Sequence, residues 1–150
     1  MTSIAIAYWI FLVACWIIAA RTGYRPALAT VTAWSVASII TTVIYETGDE
    51  TFSGVNGYVV VVDVFAFLFL LFMMMRVDRN WTIYAAALQL NALIIHFAMY
   101  VDEAIVPGAY AWGSALWSWI ILLVVVIGTI EFTRSQQRLG GPDLPAGGSA

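Results

Sequence analysis

Five apolar runs separated by short polar breaks dominate the chain, at residues 4–20, 27–45, 58–75, 81–100 and 110–132. Each falls near the roughly 17–25 residues that a helix needs to cross a hydrocarbon layer. The breaks carry charge or turn chemistry. Arg21, Gly23 and Pro26 end the first run, Glu46, Asp49 and Glu50 follow the second, and Pro107-Gly108 precede the fifth. Lipid offers no hydrogen bonds to bare backbone, so runs of this kind predict helices. A membrane barrel would need a polar residue at every second position, and residues 59–62 and 65–75 have none. The expected fold is all-α, a polytopic bundle of five transmembrane helices. After Phe132 the chain turns to Gly140, Gly141, Pro142, Pro145, Gly147 and Gly148, which predicts a flexible tail over residues 133–150.

Composition supports that picture and removes others. Hydrophobic residues are 63% of the 150, and charged residues are 10%. Soluble domains hold about 45–50% and about 25% respectively, so a water-soluble fold is excluded. A net charge of -3 leaves no basic face for nucleic acid. The single cysteine, Cys15, rules out a disulfide within the chain.

The six basic residues are all arginines, and their placement orients the bundle. Arg21 and Arg25 separate the first two runs, Arg76 and Arg79 separate the third and fourth, and Arg134 and Arg138 follow the fifth. With five spans they all fall on one side, which the positive-inside rule makes cytoplasmic. The expectation is an N-terminus outside and a C-terminus inside. The first run lacks a basic segment before it, which distinguishes it from a cleaved secretory signal. Tyr8, Trp9, Tyr45, Tyr58, Tyr100, Tyr110 and Trp112 fit an outer aromatic belt, and Trp81 and Tyr84 an inner one.

Small residues let helices approach closely in lipid. Ala29, Ala33, Ala37 and Thr41 form a small stripe on the second span, and Ala111, Ser114, Ala115 and Ser118 one on the fifth. These are the expected packing surfaces. The bulky faces of the first and third spans, with Phe65, Phe67, Phe69, Phe72 and three methionines at 73–75, suit the lipid bilayer, other membrane subunits or a homo-oligomer.

Ionisable groups at membrane depth are costly and point to function. Asp63 lies five residues into the third span, roughly 8 Å deep at 1.5 Å per residue. His96 lies four residues from the outer end of the fourth, roughly 6 Å deep by the same rise. On that span Gln89, His96 and Glu103 recur every seven residues and share a face, while Asn91 points elsewhere. The plainest reading is a polar lock that holds the bundle together. A proton relay or ion-binding site is a second, because a histidine beside a carboxylate can titrate near neutral pH.

A cofactor is the third reading. One histidine excludes bis-His haem within the chain, although His96 with Met99 stays open. A His-rich zinc site is impossible. The spacing Ala92-x-x-x-His96 resembles the small-residue-before-histidine pattern of light-harvesting antenna polypeptides, which implies a single-ligand pigment on His96. A quinone beside His96, Phe97 and Tyr100 is a further option. Neither a nucleophile–base pair nor a phosphate-cradling loop is visible, so an enzyme is not expected. Glu131 is placed to pair with Arg134 one turn on.

The stretch Val77-Asp78-Arg79-Asn80-Trp81-Thr82-Ile83-Tyr84, followed by Gln89-Leu90 and His96, resembles a pattern in small multi-pass proteins of alphaproteobacteria. Ala109-Tyr110-Ala111 and Ala115-Leu116-Trp117-Ser118 extend it. The resemblance implies the bacterial inner membrane and carries no activity. Two functions stand as expectations. The first is a non-catalytic accessory or scaffold subunit of a larger respiratory or photosynthetic membrane complex. The second is a free-standing small transporter, channel or sensor, with Asp63 and His96 as a proton- or ion-responsive pair.

Overall fold

The computed structural model describes residues 3–47, 57–101 and 107–139. They form five helices: α1 (Ser3–Thr22), α2 (Arg25–Thr47), α3 (Gly57–Arg76), α4 (Asn80–Val101) and α5 (Pro107–Leu139). All five are long and apolar enough to cross a membrane. Every expected span is present, and each helix runs slightly beyond its apolar run. The largest extension is at the end of α5, which continues past Phe132 to Leu139. Charge does not stop a helix; Arg134, Gln136, Gln137 and Arg138 are good helix formers. The part of the expected tail from 133 to 139 is therefore helical, and the rest lies outside the described residues.

Local chemistry sets the turns. Gly23 adopts a positive φ of 65° after α1, a conformation that side chains with a Cβ resist. Its N–H donates to the Ala20 carbonyl at 3.3 Å, closing α1. The Leu28 N–H donates to the Tyr24 carbonyl at 3.1 Å, opening α2. At the other tight turn, the Val77 N–H closes on the Met73 carbonyl at 2.9 Å. Thr82 Oγ1 donates to the Arg79 carbonyl at 2.7 Å as α4 begins. Proline opens α5, where its missing N–H costs nothing.

The helices close into a ring in chain order, α5 returning to α1, and α2 also touches α5 across the interior. All six arginines lie at one end of this ring, here termed the arginine end. The core is densest in that half. Tyr24 stacks on Phe132 with centroids 4.2 Å apart, and Trp81 meets Tyr24 edge-on at 6.4 Å. Trp81 Nε1 donates to the Tyr24 hydroxyl at 3.3 Å, so the aromatic layer is also bonded across it. Leu12, Cys15 and Ala19 of α1, Leu70 of α3, and Ile121, Leu122 and Val125 of α5 fill the space beneath. Trp81 is thus a core residue and not part of an inner aromatic belt, whereas Tyr84 is exposed as a belt residue would be.

Packing departs from the expected small stripe. On α2 the buried face is Ala27, Thr30, Val31 and Trp34, with Tyr24 buried just before the helix begins. Ala29 is exposed and Ala33, Ala37 and Thr41 are only half-buried, one step around the helix from the tight face. Trp34 takes the inward position, and the alanines border an open groove between α2 and α3. Ser118 of α5 is half-buried, and the side chain of Ser114 lies outside the described residues. The close approach occurs instead at Gly128 of α5. A Cβ there would sit 2.4 Å from Cγ and Cδ1 of Trp81.

Candidate functional site

The half of the bundle away from the arginines contains its polar centre. Asp63 stands six residues into α3, and α4 runs antiparallel beside it. Helical spacing puts Gln89 and His96 on one face of α4, two turns apart, and both are turned inward at 2% and 3% exposure. Asp63 bridges them. Its Oδ2 lies 2.6 Å from His96 Nε2, and its Oδ1 accepts from Gln89 Nε2 at 3.0 Å. The same Gln89 nitrogen lies 3.2 Å from the Asp63 main-chain carbonyl. One carboxylate is therefore held at both oxygens by a single neighbouring helix.

A separation of 2.6 Å is slightly shorter than the about 2.7–2.9 Å of a charge-assisted N–H···O hydrogen bond. The contact is the one ion pair among the described residues. Its burial is uneven: the Asp63 side chain is 27% exposed, its histidine partner 3%. Tyr8 bonds Ser38 of α2 at 2.8 Å, and Trp119 of α5 packs edge-on to Tyr8 at 5.6 Å. Tyr8, Ser38 and Trp119 thus tie α1, α2 and α5 together.

Trp117 adds a feature that spacing alone did not mark. Its indole Nε1 is buried and has no hydrogen-bond acceptor. The antiparallel register that sets Trp81 against Gly128 puts Trp117 level with Ala92, between Gln89 and His96. A buried donor without an acceptor is uncommon. By contrast the buried hydroxyls of Thr30 and Thr129 bond carbonyls of their own helices at 2.9 and 2.8 Å and are spent there.

The remaining candidates fall away from this centre. Asn91 is exposed and donates to the Ala87 carbonyl at 3.3 Å. Glu46 is exposed, and Asp49, Glu50, Asp102 and Glu103 lie outside the described residues. Glu131 and Arg134 border one cavity at the arginine end, yet they form no ion pair. At the position expected for a pigment, Ala92 is buried and His96 Nε2 lies against Asp63. Phe97, expected beside a quinone, faces outward, and the side chains of Met99 and Tyr100 lie outside the described set. No cluster of three possible metal ligands occurs among the described residues. No known protein family, no curated protein and no solved structure matches the chain.

Proposed function

We propose that the chain is a multi-pass protein of the bacterial inner membrane that responds to protons on one side. Its arginine end faces the cytoplasm, and the Asp63–His96 pair is the responsive element. The observation that supports this reading is the 2.6 Å contact between a buried histidine and a partly exposed carboxylate. The pair passes between a net charge of −1 and zero by exchanging one proton. In an apolar layer that difference changes how strongly α3 and α4 are held together. Histidine is the side-chain type that makes such an exchange near neutral pH.

The closed interior at the arginine end favours a sensor over a channel. There Tyr24, Trp81 and Phe132 lie above Leu70, Ile121, Leu122 and Val125. The buried hydroxyls of Tyr24, Thr30, Thr82 and Thr129 are engaged by Trp81 or by nearby main-chain carbonyls. The accessory-subunit reading draws on bulky lateral faces such as Phe65 and Phe72, and lipid alone accounts for those.

The test uses protein reconstituted in liposomes. Acidifying the side that carries the α3 N-terminus is expected to change amide hydrogen exchange in α3 and α4 of the wild type. The change is absent in Asp63→Asn and His96→Gln, which keep native helicity by circular dichroism. An imposed pH gradient is not dissipated. A gradient that collapses in a His96-dependent way makes the site a pathway and overturns the sensor reading, as does exchange that ignores pH in the wild type.

A further inference from the structure

The groove between α2 and α3 has a shape and a charge that select one kind of occupant. It is about 740 Å³ in volume and runs along α2 from Arg25 to Ile40. That is roughly 22 Å of helix at 1.5 Å per residue, which passes the midpoint of a hydrocarbon layer of about 30 Å. Its floor is the alanine stripe, Ala29, Ala33 and Ala37, and its far wall is Phe65 and Phe69 of α3. Thr32 is the one uncharged polar residue on the lining, and its hydroxyl already donates to the Leu28 carbonyl and accepts from Trp16. At the arginine end the groove opens beside Arg25, an exposed cation with no ion pair among the described residues.

We propose that this groove holds an acyl chain of an anionic phospholipid, with the lipid phosphate on Arg25. An apolar channel long enough to take the chain of a single leaflet, about 15 Å, and ending in one unpaired guanidinium, suits a lipid in both polarity and length. A pigment or metal cofactor has no purchase there, since neither histidine, cysteine nor carboxylate lines it. A second copy fits less well. Copies in a bilayer share one orientation, so a two-fold axis through α2 runs along the membrane normal and brings Arg25 against its twin. The inference rests on the membrane-spanning reading and is independent of the Asp63–His96 pair.

The experiment is native mass spectrometry of the full chain, extracted in mild detergent and exposed to equimolar phosphatidylcholine and phosphatidylglycerol. Phosphatidylglycerol is expected to be retained selectively. Arg25→Gln lowers that retention about five-fold, the factor for one basic side chain at an anionic surface. Ala33→Leu, which fills the groove floor, abolishes it, while Arg138→Gln at the end of α5 leaves it unchanged. Equal retention of the two lipids overturns the proposal. So does an equal effect of Arg25→Gln and Arg138→Gln, or a dimer that Ala33→Leu dissociates. Alkaline carbonate extraction separates the two failures: release of the chain from membranes sinks the spanning reading, whereas lipid indifference in a retained chain sinks the groove alone.

Discussion

Gly128→Ala is expected to destabilise the bundle by about 1–2 kcal/mol even though alanine is the better helix former. Alanine recovers about 1 kcal/mol of helix propensity in an exposed helix interior. Against that, the new Cβ lies 2.4 Å from Cγ and Cδ1 of Trp81 and 2.9 Å from its Cβ. The Trp81 Cβ is fixed to the α4 backbone, so rotating the indole does not relieve the overlap. Either α4 and α5 separate or the indole leaves its site, and overpacking of this kind costs about 1–3 kcal/mol. Leaving the site also breaks the bond from Trp81 Nε1 to Tyr24 and exposes the stack of Tyr24 on Phe132. Gly128→Leu extends the same clash and is expected to prevent folding. The check is a double-mutant cycle by unfolding in mixed detergent. In a Trp81→Ala background, Gly128→Ala should become neutral or stabilising. A cost that persists without the indole would show that the close approach is not the cause.

The second large effect is expected at Asp63. Asp63→Ala leaves Gln89 and His96, both almost fully buried, without the carboxylate they share. Removing one partner of a buried pair costs about 3–5 kcal/mol in water-soluble proteins. Interhelical bonds in lipid are worth less, so about 2 kcal/mol is expected here. The Asp63→Leu/His96→Leu double variant should be more stable than either single one, because it removes both desolvated groups together. Detergent unfolding of the four proteins measures the coupling, expected at about 1–2 kcal/mol. Simple additivity would mean that the two side chains act independently and would contradict the pair.

These two sites differ in how visible they are from residue order alone. Asp63 and His96 stand out because an ionisable group inside an apolar run is costly anywhere in the helix. Their similar depth followed from counting residues, and the heptad spacing of Gln89 with His96 put both on the inward face of α4. What spacing did not reveal is that Gln89 bonds the main-chain carbonyl of Asp63 as well as its carboxylate, since that depends on the rotation of α3 against α4. Gly128 sits in an apolar run with no local signal except its size between Ile127 and Thr129. A small residue in a bulky span marks a possible approach, but only the antiparallel register names Trp81 as the group that needs it.

The alanine stripe shows the opposite case. Four-residue spacing of small side chains identifies a face on which a neighbour can come close, without saying that one does. Trp34 and Val31 take the inward positions on α2, and the alanines are turned to a groove. The helix ends were legible wherever Gly23 or Pro107 supplied the turn chemistry. The end of α5 was not, because a change from apolar to charged residues marks where a helix leaves lipid and not where it stops.

Proton exchange at the Asp63–His96 pair is the claim on which the functional reading depends, and the composition makes it directly measurable. The chain has one histidine, so selective ¹⁵N-histidine labelling reports His96 alone. With the pH of the bilayer sample lowered stepwise, the ring nitrogens are expected to change protonation state. Asp63→Asn should displace that transition, because it removes the negative partner of the imidazolium. A ring that holds one protonation state across the whole range, or a transition that Asp63→Asn leaves in place, would contradict a proton-responsive pair.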